Sequence, residues 1–541
     1  MERRALATFV APVESQLPAE QAERATQHSE GPFALLLVSA LTLLALAVHG
    51  YHPYAEDGGL YLTGIKRLLD PALYPHSAAF VLEPTRFSLF APTVATIARL
   101  SHLPLPIVLL ALHLATIWAT LFASWMLAAR CWTTRTARTG AVVLLACWLA
   151  LPIAGTALLL MDPYVTARSI STPCMVLALV GALDATDQNG QRASRWRGLC
   201  LCLASIMLAT AMHPLMAAYA LGATLMLICV RSARRSVRAG GTATLSAVAL
   251  TLAACLQHVA KPESPDYVRV ALTRTYWFPA AWAWYELLGL AAPLLILAMV
   301  ARASSRKPAQ PQSIASHEAL RSLAQMAVAA GATAWLVAAL FSRAAAATHL
   351  AARMQPLRAF QIVYLLMVLV LGAKLGESVL RRSAWRWTAA MLLLGGIMLG
   401  AERTAFPASN HAELPSIAPR NAWTQAFQWI RANTPKDAIF ALDADYINAP
   451  GEDAQCFRAI AERSSLPDYS KDGGEVSIAP ELTETWKQGQ AAQQRLSEST
   501  DADRIAALSP LGVSWVVLKA GAATSFDCPY ENAAVRVCRL H

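Results

Sequence analysis

Long apolar stretches separated by short polar loops constrain the fold of this chain more than any other feature. Of its 541 residues, 56% are hydrophobic and 15% are charged, whereas a soluble domain carries roughly 25% charged residues. A helix of about 17–25 apolar residues is long enough to cross a bilayer. About eleven such stretches are present, at residues 33–49, 104–129, 140–160, 170–186, 198–212, 214–230, 240–257, 285–301, 322–341, 357–373 and 387–402. We therefore expect a mainly α-helical, polytopic membrane protein.

Basic residues cluster in alternate loops between these stretches. The clusters are Arg130/Arg135/Arg138, Arg192/Arg195/Arg197, Arg231/Arg234/Arg235/Arg238, Arg302/Arg306/Lys307 and Arg381/Arg382/Arg386. The positive-inside rule places these loops in the cytoplasm. The opposite, outer side then holds residues 50–103, 161–169, 258–284, 342–356 and the segment after residue 403, so the chain runs from N-in to C-out. The net charge of +10 thus reflects topology, and no nucleic-acid partner is expected.

Composition divides the chain into three regions. Residues 1–32 are polar and mixed in charge, and they are predicted to be a disordered cytoplasmic lead. Residues 33–403 form the transmembrane domain. Residues 404–541 are predicted to form a small extracytoplasmic α/β domain, without a nucleotide-binding motif. Its predicted helices are 423–430 and 500–508, and its predicted strands are 438–442, 513–518 and 534–540.

Two local alternatives stay open at the level of sequence. His213-Pro214 separates two apolar stretches, which form either a hairpin or one kinked element. Residues 87–100 are mildly polar and form either a re-entrant helix or a helix lying on the membrane.

Two adjacent acidic residues follow the first apolar stretch. Glu56 and Asp57 precede Gly58, Gly59 and Tyr61. Paired carboxylates beside a membrane helix are suited to accepting a proton or binding a cation, and glycines let a ligand approach the backbone. The structural alternative is a helix start, where the macrodipole favours acidic residues.

The second and fourth outer loops hold further candidates. Asp162 is a candidate to join the acidic pair around a cation or hydroxyl, and Arg168 is a candidate to bind a phosphate bidentately. Their structural alternatives are an N-cap and an interfacial arginine. Arg353, Gln355 and Arg358 lie on the side where arginine is disfavoured unless it is paired or used. They are interpreted as a site that recognises a phosphate or carboxylate group of a ligand. The structural alternative is an ion pair with Asp57 or Asp162.

Weaker candidates complete the set of residues. Tyr61, Tyr164, His213, Tyr276 and Trp277 are candidates for a substrate groove, although aromatic residues in outer loops form an interfacial belt by default and a lone histidine is usually structural. In the C-terminal domain, Phe457-Arg458 and Glu462-Arg463-Ser464 lie either at the face towards the membrane domain or on a solvated helix. Cys528 and Cys538 are candidates for a disulfide on the oxidising side.

Together these features resemble the GT-C class of membrane glycosyltransferases, and more closely uncharacterised multi-span bacterial members of that plan. The resemblance covers most of the chain and rests on the order and sidedness of its motifs. These are the first-loop Glu56-Asp57, Met161-Asp162-Pro163-Tyr164…Arg168, Arg353-Met354-Gln355-Pro356-Leu357-Arg358 and Phe457-Arg458…Glu462-Arg463-Ser464. The absence of a separate DxD motif departs from some members and puts metal dependence in doubt.

The resemblance implies transfer of a sugar from a polyprenyl-phosphate donor to a glycan, lipid or protein acceptor at the outer face of the bacterial inner membrane. Asp57, with Glu56 and Asp162, would be the catalytic group, acting as general base or orienting Mg or Mn through Asp57 and Asp162. Arg168, Arg353, Gln355 and Arg358 would bind the donor phosphate. Two alternatives remain: a transporter or flippase of a lipid-linked substrate, and a catalytically inactive GT-C-like scaffold in envelope assembly. Nearly charge-free spans and the absence of a repeat disfavour transport.

Overall fold

The computed structural model describes residues 19–188, 190–232, 234–304 and 314–540. The first helices are α1 (Ala19–His49), α2 (Glu56–Leu69), α3 (Ala78–Leu82), α4 (Phe90–Ser101), α5 (Leu105–Cys131), α6 (Arg135–Cys147), α7 (Ala167–Ala185) and α8 (Arg192–Met212). They are followed by α9 (Pro214–Arg231), α10 (Arg235–Val259), α11 (Pro265–Leu272), α12 (Trp284–Ala303), α13 (Ile314–Phe341), α14 (Leu350–Arg353), α15 (Phe360–Lys374) and α16 (Ala384–Ala405).

Ten segments within the described residues are long and apolar enough to cross a membrane. They are α1 from Gly31 onward, α5, α7, α8, α9, α10 from Ser236 onward, α12, α13, the continuous segment Leu350–Leu380 that contains α14 and α15, and α16. With the C-terminal sheet described below, they confirm the predicted fold class, a polytopic helical membrane protein with a small α/β domain.

The predicted span 140–160 differs from the others. Its helix, α6, has only 13 residues and ends at Cys147. Even so, α6 reaches both ends of the first span. At its start, the Arg135 guanidinium lies 3.3 Å from the centroid of the Phe33 ring. Near its end, the Ala146 carbonyl accepts a hydrogen bond of 2.9 Å from the His49 imidazole. We therefore count α6 as an eleventh crossing, parallel to α1.

The segment between α6 and α7 is irregular and mostly buried in protein. Irregular backbone is tolerated at membrane depth only where protein surrounds it. This explains why the apolar run up to residue 160 is not one long helix, since its second half serves as a buried loop that leads to Asp162.

Helices α8 and α9 form a hairpin around His213. At the beginning of α8, Arg195 contacts the end of α7 through the Ala185 carbonyl. At the end of α9, Arg231 donates a hydrogen bond of 2.7 Å to Thr186, beside the same end of α7. The two helices therefore run in opposite directions, which resolves the alternative left open by His213-Pro214.

The first outer loop contains α2, α3 and α4. One face of α4, which includes Phe90 and Val94, is buried, whereas Leu100 is 76% exposed. A 12-residue helix with this division matches a helix that lies in the membrane interface. The structure therefore favours the surface position over a re-entrant helix for residues 87–100.

The C-terminal region is an α/β domain with a five-stranded mixed sheet. Its helices are α17 (Ala422–Asn433), α18 (Phe457–Ala461), α19 (Lys471–Ile478), α20 (Thr483–Gln493) and α21 (Asp501–Leu508). Its strands are β1 (Ile439–Ala441), β2 (Ser464–Ser465), β3 (Trp515–Lys519), β4 (Tyr530–Glu531) and β5 (Val535–Arg539), in the order β2-β1-β3-β5-β4. Strand β1 pairs in parallel with β2 and β3, and β5 pairs antiparallel with β3 and β4.

The predicted helices and strands of this domain agree with α17, α21, β1, β3 and β5, with bounds that differ by a few residues. Its core contains Phe427, Phe440 and Phe457, all fully buried. Cys528 and Cys538 form the predicted disulfide. The predicted disordered lead is outside the described residues up to residue 18, and from Ala19 the backbone is helical.

Candidate active site

The acidic pair Glu56-Asp57 begins α2, where the C-terminal domain holds the backbone. The Glu56 amide donates a hydrogen bond of 2.9 Å to the Ala454 carbonyl. Gly59 lies so close to Cys456 that a Cβ atom at position 59 would overlap its side chain. The glycines that follow the acidic pair thus permit close packing of two domains. The expected helix start is present, and the two acids lie in its first turn.

Arg168 lies between two carboxylates. Its guanidinium donates to Asp57 Oδ2 at 3.2 Å and to Asp162 Oδ2 at 2.8 Å. Asp162 and Arg168 are 6% and 7% exposed, so this pair is buried. The structure brings these three predicted residues together, with the Arg168 guanidinium bound to the two carboxylates. Arg168 therefore forms an ion pair that positions Asp57, rather than lying at the interface as its structural alternative holds. Its binding of a phosphate stays a prediction.

Lys471 of α19 is the second cation at Asp57. Its ammonium lies 3.2 Å from Asp57 Oδ1 and also pairs with Glu56. Withdrawal from bulk water raises the pKa of Asp57, but the positive charges of Lys471, Arg168 and Arg358 outweigh this effect and hold the pKa below its ordinary value. Asp57 is therefore ionised at neutral pH.

A cavity of about 840 Å³ lies in front of Asp57, at the junction of the membrane part and the C-terminal domain. Its polar wall consists of Glu56, Asp57, Tyr61, Glu83, Ser88, His213, Arg274, Tyr276, Arg353, Gln355, Arg358, Ser470, Lys471 and Glu475. Its apolar wall consists mainly of Leu60, Pro84, Phe87, Met212, Pro214, Leu215, Met354 and Ile478. Residues from three of the predicted outer loops, 50–103, 258–284 and 342–356, and from the C-terminal domain thus meet at one site.

Arg358 is the cation of this wall that is left without a partner. Its side chain makes no hydrogen bond or ion pair with any residue of the described ranges, and its Nε is buried without an acceptor. The neighbouring Gln355 adopts a left-handed conformation (φ 49°), and its buried Oε1 also has no partner. An unpaired guanidinium beside a cavity is suited to an anionic ligand.

Arg353, which also lines the cavity, is already paired. It donates a hydrogen bond of 2.7 Å to the Tyr267 hydroxyl and lies 3.4 Å from Glu263 Oε1. Its contribution to ligand binding is therefore expected to be smaller than that of Arg358.

The five weaker candidates divide into two groups. Tyr61, His213 and Tyr276 line the cavity. Tyr164 is buried and its ring lies against Gly58, while Trp277 is buried in an apolar cluster beneath the cavity wall. These two residues pack the protein interior and do not line this cavity.

The donor set at Asp57 and Asp162 does not fit a divalent cation. Arg168 occupies the space between the two carboxylates, and Lys471 occupies the other side of Asp57. Divalent cations such as Mg²⁺ prefer several free oxygen ligands, whereas here two cationic side chains already hold the carboxylates. Within the described ranges, no group of three or more His, Cys, Asp or Glu side chains is arranged to hold a metal. We therefore derive no metal-dependent step.

Sequence reasoning missed the residues that the C-terminal domain adds to the cavity. Besides Lys471, α19 contributes Glu475, whose side chain makes no hydrogen bond with any described residue. Burial raises the pKa of Glu475 well above its ordinary value, and the charges of Asp57 and Asp472 act in the same direction. The same cavity wall thus holds one carboxyl whose pKa is raised, Glu475, and one whose pKa is lowered, Asp57.

Two arginines fix α19 over the cavity. Arg458 forms a bidentate pair with Asp472, with both distances 2.7 Å. Arg274, from the predicted outer loop 258–284, donates to the Ser470 and Tyr469 carbonyls at 2.7 and 3.2 Å. Arg458 is therefore buried rather than on a solvated helix, and its guanidinium lies 5.9 Å from the ring centroid of Phe80 in the first outer loop.

The remainder of the 457–464 stretch also meets the first outer loop. Glu462 pairs with Lys66 of α2 at 2.7 Å, and the Tyr74 hydroxyl donates to the Arg458 carbonyl at 3.0 Å. The interpretation of this stretch as the face towards the membrane domain is therefore the correct one.

Comparison with known proteins shows a structural likeness but no related sequence. No family model and no curated protein matches the sequence. The structure is similar to the cryo-electron-microscopy structure of a mutant of the arabinofuranosyltransferase AftD from mycobacteria, with 14% identity and a TM-score of 0.46. The match covers 94% of this chain and 41% of the AftD chain. AftD is a membrane glycosyltransferase, the class that the sequence resembles. At this TM-score the likeness carries no conclusion about function, which we infer from the site.

Proposed function

We propose that this multi-pass membrane protein is a glycosyltransferase that moves a sugar from a polyprenyl-phosphate donor to an acceptor hydroxyl. The observation that supports this most is the combination of an ionised carboxylate, Asp57, and an unpaired guanidinium, Arg358, in the wall of one cavity. Transfer of a sugar from a phosphate needs both a proton acceptor for the hydroxyl and a positive charge for the departing phosphate.

The apolar wall supports a lipid as carrier of the phosphate. Phe87 is 65% exposed at the rim of the cavity and adjoins the interfacial helix α4. Met354, on the other part of the rim, is 38% exposed. A polyprenyl chain would contact these side chains from the bilayer while its phosphate reaches Arg358.

The reaction is a single displacement. The acceptor oxygen attacks the anomeric carbon, the bond from this carbon to the phosphate oxygen breaks, and the bonding electrons leave with the polyprenyl phosphate. The hydroxyl proton passes to Asp57. Although Lys471 and Arg168 make Asp57 a weak base, the attacking oxygen becomes strongly acidic as its new bond forms, so that a weak base suffices. One displacement inverts the configuration of the sugar carbon.

The predicted orientation places this reaction at the periplasmic face of the bacterial inner membrane. The basic loops between the spans support this orientation. The acidic loop, the loop that carries Arg358 and the C-terminal domain share one side, because all of them line the cavity. A glycan, a lipid or a protein on that side would supply the acceptor hydroxyl.

The test is sugar transfer in proteoliposomes from a panel of radiolabelled polyprenyl-phosphate sugars. The wild type is compared with Asp57→Asn and with the matched control Asp70→Asn, which changes an exposed carboxylate at the other end of α2. Transfer or slow donor hydrolysis that disappears only in Asp57→Asn is the expected result. Equal signals from wild type and Asp57→Asn would contradict the role of Asp57. Donor that binds without reacting would favour a flippase or an inactive scaffold.

A further inference from the structure

Glu475 is a carboxyl group without a partner in the cavity wall. It is 8% exposed, and it reaches the site from α19 of the C-terminal domain. No hydrogen bond joins its side chain to any residue within the described ranges, whereas the other carboxyl on the same helix, Asp472, is held by Arg458. A buried polar group without a protein partner is expected to meet one in a ligand or in water.

The charged groups that face Glu475 are mostly negative. They are Asp57 on α2, Glu83 on the turn after α3, and Asp472 and Lys471 on its own helix. Two cations near this helix are engaged elsewhere. Lys471 is shared by Glu56 and Asp57, and Arg274 donates to backbone carbonyls of α19.

The charges on the other helices that pack on α19 balance one another. On α11 and α20, Asp266 pairs with Lys487 at 2.9 Å and with Arg269, and Glu484 lies 3.9 Å from Lys487. Within the described ranges, no cation forms an ion pair with Glu475, and Lys471, the cation that faces it, is held by Glu56 and Asp57. In its neutral form this side chain carries an O–H donor beside the cavity.

We propose that Glu475 is a proton-dependent binding residue of the donor site, which donates a hydrogen bond to a phosphate oxygen when protonated and repels the anion when ionised. This inference rests on the proposed function, because it assigns Glu475 to the phosphate that Arg358 binds. It also gives the C-terminal domain a direct part in substrate binding. Donor affinity should therefore be highest where Glu475 is neutral and should fall as the pH rises through its pKa.

The probe for the test is the methyl ester of a polyprenyl phosphate. As a phosphodiester it keeps one negative charge at all relevant pH values, unlike a phosphate monoester, whose second ionisation lies at about pH 6. It carries no sugar, so its binding is independent of catalysis. Binding to the full-length protein in nanodiscs is measured from about pH 5 to about pH 9, with the uncharged polyprenol as a reference for the lipid tail alone.

The expected result is that wild-type affinity for the phosphodiester falls at least about tenfold with rising pH. In Glu475→Gln, which keeps the shape and a hydrogen-bond donor, affinity should stay near the wild-type low-pH value. The control Glu481→Gln changes an exposed carboxylate just beyond α19 and should follow the wild type. Unfolding temperatures at each pH establish that the variants remain folded.

Three results would overturn the inference. Affinity that does not change with pH in the wild type would remove Glu475 from phosphate binding and leave the proposed function intact. A Glu475→Gln variant with the wild-type pH dependence would do the same. Failure of the folded wild type to bind the phosphodiester better than polyprenol at any pH would overturn the phosphate site itself, and with it both proposals.

Discussion

Lys471 and Asp57, which are 414 residues apart in the sequence, form an ion pair in which Nζ lies 3.2 Å from Oδ1. Lys471 belongs to the C-terminal domain and Asp57 to the first outer loop. The charge state of the proposed catalytic base therefore depends on correct docking of the last domain of the chain. Three of the predictions below concern this charge network, and the other concerns the docking contact itself.

Lys471→Gln should move the acid limb of the activity profile to higher pH. In the wild type, the pKa of Asp57 lies below its ordinary value. Asp57 is therefore ionised at pH 5 and above, and its protonation should not reduce activity in that range. Burial of Asp57 raises its pKa and the charge of Lys471 lowers it, so that loss of Lys471 should raise the pKa of Asp57. The measurement is kcat/KM of donor turnover against pH. Lys436→Gln, at an exposed lysine of the same domain, is the control, and coincident profiles of Lys471→Gln and wild type would contradict the prediction.

Arg358→Gln and Arg353→Gln should differ in their effect on the donor. Loss of the unpaired Arg358 should raise the KM for the donor about 10- to 100-fold, the range expected for one charged hydrogen bond. Arg353→Gln should have a smaller effect on KM, because Arg353 is already paired with Tyr267 and Glu263. Donor titrations of both variants provide the comparison. A larger rise in KM for Arg353→Gln than for Arg358→Gln would show that Arg353, not Arg358, is the main residue that binds the donor phosphate.

Arg168→Met should destabilise the protein by about 3–5 kcal/mol, the usual cost of leaving a buried charge without its partner. Asp162 is the residue concerned, since it is 6% exposed and depends on Arg168. The double variant Arg168→Met/Asp162→Asn should recover part of this loss, because its buried Asn carries no charge. Thermal unfolding in detergent measures both effects. If the double variant were no more stable than Arg168→Met, the buried pair would not be the cause.

Asp472→Asn should loosen α19 without unfolding the C-terminal domain. The change removes the charge that holds Arg458 through two hydrogen bonds of 2.7 Å. Hydrogen–deuterium exchange should become faster in Lys471–Ile478, while β3 and β5 keep their protection. Asp503→Asn, at an exposed position in the same domain, serves as the control. Unchanged exchange in α19 would show that Arg274 alone is sufficient to dock this helix.

The membrane architecture was largely predictable because hydropathy is a local property of the sequence. Ten of the eleven apolar stretches appear as long helices. The exception, residues 140–160, shows the limit of this reasoning, because apolar composition does not distinguish a helix from a buried loop. Glu56 and Asp57 were visible for a similar reason, as adjacent carboxylates directly after an apolar stretch are conspicuous.

The remainder of the site depends on contacts that no local pattern reveals. Lys471 and Glu475 lie in the sequence Ser-Lys-Asp-Gly-Gly-Glu, which has the composition of an ordinary solvated turn. Arg168 was predicted to bind a phosphate or to lie at the interface, and its pairing with Asp57 depends on the position of a residue on another helix. Tyr164 and Trp277 do not line the cavity, and their sequence could not show this, because aromatic residues in a loop look the same whether they face a cavity or pack in the interior.

The short helix α6 has a consequence for the synthesis of the protein. With 13 residues, the helix is shorter than the length of about 17 residues that spans a bilayer. Its place in the membrane therefore depends on neighbouring helices. Of those that pack on it, α1 and α5 precede it during translation and α15 follows it. The chain is thus expected to hold α6 in place through helices that are already inserted, before the loop that carries Asp162 and Arg168 is made. Substitutions in α5 that face α6 should accordingly act on the yield of inserted protein, even though they lie far from the cavity.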